Sequence, residues 1–297
     1  MPLISENWSN SLLTGLRKVF VNVYREQVSN VPVLFNMLKS QKAQEFDLLT
    51  DEFKDFDVFN GQVPYDDHVE SYKTTYTHQE YSRGFKVERK LVQDELYGTI
   101  QRQPSFLALS ARRRREKDGA SVFNNAFNTG VTGGDTLSLC NSAHTSKNSS
   151  TTQSNTGVLS LTAANVEATR RSMIKFRTGR DGIMDVHPDM LLVPIDQEEQ
   201  AWEILNSKGK VDSAQNNVNF HYGKYKLLVW PNYMTSATNW FFIDSIYMKQ
   251  LLMWFDRQPV QFFTDQAFGP LVAAFAGYMR YSFGFSDWRW VFGQQGS

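Results

Sequence analysis

The stretch Glu70–Tyr81, ESYKTTYTHQEY, alternates with a period of two, placing Tyr72, Thr74, Tyr76 and His78 on one face of a strand and Lys73, Thr75, Thr77 and Gln79 on the other. Neither face is apolar enough to be deep core. KDFDVF, ahead of an Asn60-Gly61 turn signal, reads as the first strand of the same long hairpin, within Phe53–Val92. A hairpin that is polar and aromatic on both sides is marginal alone in water and needs another surface to lie on.

With 22 Phe, 12 Tyr and 7 Trp in 297 residues, much ring surface must find cover, either inside the subunit or against another one. A chain of this length buries roughly three quarters of the surface its unfolded form exposes, so its core needs neither disulfides nor metal. One or two domains are expected.

Lysine plus arginine and aspartate plus glutamate both total 31, so no global field draws the chain to phosphates or anionic lipid. This argues against a dedicated nucleic-acid binder. The single cysteine, Cys140, excludes an internal disulfide and suits a reducing compartment. Apolar runs are only a few residues long, and the opening MPLISENWSN has neither the charged start nor the apolar stretch of a signal peptide. The sequence reads as soluble and not exported by the Sec route.

Ser11 is placed to cap an amphipathic helix whose apolar residues Leu12, Leu16, Val19, Phe20 and Val23 form one stripe. That stripe packs on its own domain or on a neighbouring subunit. After the hairpin, PSFLALSARRRREKDGASVFNNAF predicts a long helix begun by Pro104, with Gly119 weakening its middle without ending it. The Gly/Ser/Thr/Asn-rich stretch after it predicts loop or very short strand, followed by a helix capped by Thr162. Then come DMLLVP as strand, DQEEQAWEILNS as helix, a polar loop, KYKLLVWP and NWFFID as strands, and largely strand beyond Asp244.

Cys140 and His144 invite a thiolate–imidazole reading, but the sequence supplies neither a third orienting group nor an activating field. His68, His78, His144, His187 and His221 are scattered, and no His-Glu-x-x-His motif is present. TGVTGGDT lacks the lysine of a phosphate-binding loop and reads as a turn. In the run Arg112–Arg115, four consecutive helical residues spread over about 300° of the helix, so they cannot form one solvated face. Salt bridges to acidic segments such as DEFKDFD, of the same or a neighbouring chain, are the favoured use, with nucleic-acid contact and plain solvation as alternatives.

Three stretches resemble the major capsid protein of tailed bacteriophages with the Hong Kong 97 fold, most closely the Mu-type major head subunit. YTHQEYSRGFKVERKLVQDELYG is similar to the family's passage from extended loop to spine helix, at Glu80, Gly84, Phe85, Val87, Asp94 and Tyr97. GGDTLSLCNSAHT is similar to a family segment running from Asp through Leu to Ala-His, a structural loop with no attributed catalysis. MLLVPIDQEEQAWEILNS is similar to its strand, proline and helix, at Leu192, Val193, Pro194, Ala201 and Leu205.

The resemblance implies an α+β fold: an N-terminal arm over 1–48, an extended loop over 49–90, spine helix and first part of the peripheral domain over 91–160, an axial domain over 161–245 and returning peripheral strands over 246–297. The loop Ser207–Tyr222 is then expected to point toward a five- or six-fold axis. The implied role is a non-enzymatic, self-assembling shell subunit without cofactor or membrane, made in the host cytoplasm and resident in the virion. Double-stranded DNA is contacted weakly, and scaffolding, portal and decoration proteins are possible partners. Arg112, Arg113, Arg114, Arg115, Tyr72, Tyr76 and Phe20 are the candidate intersubunit contacts. Another phage structural or carbohydrate-binding oligomer, and a Cys140/His144 hydrolase, are the rival readings.

Overall fold

The computed structural model describes residues 8–67, 69–88, 90, 97–209, 217–267 and 272–296. Asp94, His68 and positions 210–216 of the polar loop lie outside the described residues. The first helix, α1 (Trp8–Glu26), buries Leu16 and Phe20 from the expected stripe. It begins at Trp8, so Ser11 lies within its first turn, where serine is tolerated, and is not its cap. A short turn of helix, α2 (Val31–Leu34), leads into β1 (Asn36–Lys39) and β2 (Gln44–Thr50).

β3 (Glu70–Thr77) pairs antiparallel with β2, setting Glu45 opposite Tyr76 and Asp47 opposite Thr74. KDFDVF is therefore not the partner strand, and residues 51–67 have no regular structure. The reason is in the spacing. Phe53, Phe56 and Phe59 recur every third residue and fall on no single strand face, whereas Glu45, Phe46, Asp47 and Leu48 alternate strictly. The next strand, β4 (Gln79–Glu88), leaves the hairpin for a larger sheet.

The spine of the molecule is α3 (Tyr97–Asn124), 28 residues long, or about 42 Å at 1.5 Å per residue. Pro104 sits inside it and not at its start. Proline removes one helical hydrogen bond, and the burial of Ile100, Leu107 and Ala108 on either side holds the helix through the gap. The Gly/Ser-rich stretch yields only the two-residue strands β5 (His144–Thr145), β6 (Thr152–Gln153) and β7 (Thr156–Gly157). Helix α4 (Ala163–Met173) starts as expected, with the Thr162 hydroxyl accepting from Asn165 N.

Strands β8 (Met190–Val193), β9 (Lys226–Val229) and β10 (Asn239–Ile243) alternate with α5 (Glu198–Asn206) and precede α6 (Ser245–Leu251), which Asp244 caps through Ile246 N and Tyr247 N. Two long strands, β11 (Leu252–Ala267) and β12 (Val272–Phe285), and a last strand, β13 (Val291–Gln295), complete the chain.

Two sheets organise these elements, in the orders β1-β11-β12-β4 and β7-β13-β10-β8-β9. In the second, Leu191, Val193, Trp240 and Phe242 pack toward α4 and α5, while Met190, Leu192, Phe241 and Ile243 pack into the main core with Phe123, Trp230 and Trp290. Buried on both faces, β8 and β10 read as continuous apolar runs for that reason. A third cluster joins Leu16 and Phe20 of α1 to Leu107 of α3 and to Phe262 and Phe275 of the long sheet. At Gly84, which β4 sets beside Ala276, an added Cβ would stand 2.5 Å from Phe275 O. Only glycine allows these two strands to approach so closely.

Candidate functional site

The arginine run of α3 divides among four environments, as four consecutive helical positions must. The Arg112 Nη2 donates to Tyr24 O at 3.2 Å and Gln27 O at 2.9 Å, tying the arm to the spine. Arg113 is exposed and has no ion-pair partner among the described residues. Arg114 pairs with Asp118 at 2.8 Å and lies over the Tyr81 ring, 4.7 Å from its centroid. Arg115 is buried and holds Asp256 of β11 with two hydrogen bonds of 2.9 and 3.1 Å, its guanidinium lying over Trp254.

The same turn of helix continues the pattern. Glu116 accepts from Ser29 Oγ, from Asn30 N and from Trp230 Nε1 at 2.9 Å. Asp118 accepts from Tyr281 OH at 2.7 Å, and burial together with that carboxylate pushes the Tyr281 phenol well above its ordinary value. Residues 112–118 thus fasten the arm, the long sheet and the five-stranded sheet to one helix. Within the chain the acidic partners are Asp118 and Asp256, and among the described residues no ion pair joins the run to DEFKDFD of the same copy.

The hairpin face carrying Tyr72, Thr74, Tyr76 and His78 is the covered one. Tyr76 is buried, its hydroxyl 2.7 Å from Ser286 Oγ and its ring 5.1 Å from that of Phe255. His78 is held between Ser40 Oγ at 3.0 Å and Ser282 Oγ at 2.9 Å. Polar partners make this face core despite its composition. Half-buried Tyr72 donates to Thr145 O at 3.2 Å. Phe20 is fully buried, with its ring 5.1 Å from Phe262. Phe20, Tyr76 and Arg115 therefore pack within their own chain, whereas Arg113 and Arg114 are exposed.

The Cys140/His144 region holds one surprise. His144 does have an orienting carboxylate, Asp135, 2.6 Å from Nδ1, and its ring stacks on Trp288 at 4.4 Å. The other ring nitrogen, however, faces Asn155 Oδ1 at 3.1 Å. The orientation of that amide is fixed, because its Nδ2 donates to Leu139 O and Val291 O. Both ring nitrogens are thus taken up by Asp135 and Asn155, and neither faces a nucleophile. Among the described residues no hydrogen bond joins Cys140 to His144; burial pushes the Cys140 thiol far above its ordinary value. The cluster staples the loop after α3 to β13.

What remains open is an apolar surface that sequence reading assigned to the hairpin. Phe46 and Leu48 of β2 point outward, and beyond them Phe53, Val58 and Tyr65 are 79%, 93% and 91% exposed, with Phe56 and Phe59 also uncovered. Asp66 anchors this strip, accepting from Lys54 N at 2.9 Å and from Arg180 at 3.3 Å. The three-residue spacing of its phenylalanines was the available sign that they do not belong to a strand. Among the described residues no helix is long and apolar enough to cross a membrane, and no group of His, Cys, Asp or Glu is arranged to hold a metal ion.

An arm helix on a long spine helix, a long-stranded sheet and a compact α/β unit together constitute the Hong Kong 97 capsid fold. The chain superposes on a subunit of the procapsid of bacteriophage JBD30 with a TM-score of 0.55 at 12% identity, covering 98% of this chain and 76% of that one. It superposes on a subunit of the virus-like particle from Pyrococcus furiosus with a TM-score of 0.56 at 9% identity, covering 95% and 99%. For the capsid of the empty GTA particle the values are 0.55 and 10%, covering 91% and 90%. No curated protein sequence matches the chain. The family model described as phage capsid protein matches residues 71–293, so the chain belongs to that family and is a phage major capsid protein.

Proposed function

We propose that this capsid protein closes into pentamers and hexamers of an icosahedral shell around double-stranded DNA, without catalysing any reaction. The observation that carries the reading is the uncovered strip Phe53–Tyr65, in which Phe53, Phe56, Val58, Phe59, Val63 and Tyr65 are all exposed, a clustering of apolar side chains that marks an interaction surface. Head-to-tail contacts between copies are heterologous and close into rings when the rotation allows. Each contact need be only moderate, since a partly incorporated subunit rebinds at high effective concentration.

In this reading residues 1–48 are the arm, 49–90 the extended loop, 91–160 and 246–297 the spine helix and peripheral domain, and 161–245 the axial domain with Ser207–Tyr222 toward the symmetry axis. The clustering of Leu161 to Phe242 in one core supports the axial division. Balanced charge supports weak DNA contact, because a strongly cationic wall would hold the packaged genome by many released counterions. Assembly takes place in the host cytoplasm, with scaffolding, portal and decoration proteins as further partners. Electron microscopy of the purified protein, expressed alone and with its genomic neighbours, tests the reading: shells, rings or capsomers are expected, and dispersed monomers under both conditions would overturn it.

A further inference from the structure

The zero net charge of the chain is the sum of two opposed regions. Segment 44–70 carries nine carboxylates against Lys54, whereas α1 and α3 together carry nine cations against three carboxylates. Two of those three, Glu116 and Asp118, are buried and already engaged by Trp230 and Tyr281, which leaves Glu26 as the one exposed acid of the two helices.

We propose that the outer face of the layer formed by α1 and α3 is a contact surface for the phosphate backbone of double-stranded DNA, without regard to base sequence. The proposal rests on the shell-subunit reading and names the face of the subunit that meets the enclosed genome. The two helices pack together through Leu16, Phe20 and Leu107, with α1 over β11 and α3 over β12 and β4. Their apolar sides are turned to the sheet, and the opposite sides meet solvent. Lys18 and Arg25, seven residues apart, share the outer side of α1, while Arg102, Arg113 and Lys117, spaced by eleven and four, share that of α3. All five are exposed, and none has an ion-pair partner among the described residues. The remaining arginines of the run are engaged, Arg112 by arm carbonyls, Arg114 by Asp118 and Arg115 by Asp256.

The row on α3 runs about 22 Å at 1.5 Å per residue. Packed helices stand about 8–10 Å apart, within the roughly 6–12 Å widths of the two grooves of B-DNA, so the two rows can follow the phosphates on either side of a groove. Non-specific contacts of this kind have a Kd of about 10⁻⁴–10⁻⁶ M at physiological salt, loose enough for the genome to leave. An acidic protein segment is the other polyanion such a face could take. It would need apolar anchors as well, and the face offers one well-exposed ring, Phe106, between Arg102 and Arg113; five cations with so little apolar surface favour DNA.

The test is fluorescence anisotropy of the unassembled full-length protein with a short random-sequence duplex, at salt from about 50 to 200 mM. Five phosphate contacts, each adding about 0.9 to the slope of log affinity on log salt, predict an affinity loss of about 500-fold over that range. Arg113→Gln combined with Lys117→Gln should reduce the loss to about 40-fold, whereas Lys175→Gln, exposed but outside both helices, should leave it unchanged. No binding, a double variant as salt-sensitive as the unaltered chain, or an equal change from Lys175→Gln would overturn the proposal. So would poly-glutamate binding as tightly as the duplex and being weakened by Phe106→Ser, which would assign the face to an acidic protein partner. Shell formation is scored separately by electron microscopy: shells from a chain that does not bind the duplex refute the DNA face alone, whereas duplex binding by a chain that forms no shells counts against the shell reading.

Discussion

Arg115 and Asp256 face each other across the spine helix and the long sheet, with guanidinium Nη1 and Nη2 2.9 and 3.1 Å from the two carboxylate oxygens and the arginine side chain only 7% exposed. Removing one member of a buried pair leaves the other charge uncompensated. Arg115→Gln should therefore lower stability by about 3–5 kcal/mol, whereas Arg113→Gln, two residues away and exposed, should change it by less than about 0.5 kcal/mol. Urea denaturation of the unassembled variants checks the contrast; equal losses would contradict the division of the arginine run.

Gly119 lies five residues before the end of α3, where an added Cβ would stand 2.8 Å from Val31 Cγ2 and 3.0 Å from Trp230 Cη2. Overpacking of this kind costs about 1–3 kcal/mol, more than the roughly 1 kcal/mol that alanine gains over glycine in a helix. Gly119→Ala should be destabilising, whereas Gly98→Ala, in the first turn with no described atom within 4 Å of the added Cβ, should be stabilising by up to about 0.5 kcal/mol. Thermal melts of the two variants should move in opposite directions.

Burial keeps Cys140 protonated, and thiolate is the reactive form. Ellman's reagent should leave the folded protein unmodified and titrate one thiol after denaturation. Rapid reaction of the native protein would revive the catalytic reading.

Burial, with Arg280 and Arg257 nearby, holds His78 below the ordinary imidazole value, and burial does the same at His221. Such groups bind fewer protons folded than unfolded, so their contribution to stability is complete above about pH 6.5 and is lost as pH falls from there through the folded-state values. Denaturation midpoints should drop between pH 8 and pH 5, and His78→Gln should flatten the drop. Parallel profiles for the variant and the unaltered protein would contradict this assignment.

Much of this architecture was legible in local pattern. The stripe Leu16–Phe20, the Thr162 cap, and the apolar runs MLLV and NWFFI each announce their element because the driving interaction is local or periodic. The misreadings share one cause, since tertiary partners are invisible in a linear pattern. KDFDVF lost its strand pairing to QEFDLLT, Pro104 was carried inside a helix held by packing on both sides, and His78 became core through two serines distant in sequence. Asp135, nine residues before His144, was within reach of inspection, but its role depends on a turn that only the folded loop reveals.

The central claim is that a lone chain leaves Phe53–Tyr65 uncovered and that assembly covers it. Hydrogen–deuterium exchange of unassembled protein and of shells measures this directly. The amides of 53–65 should exchange within seconds in the free subunit and gain at least tenfold protection in the shell, while equal exchange in both states would contradict the account.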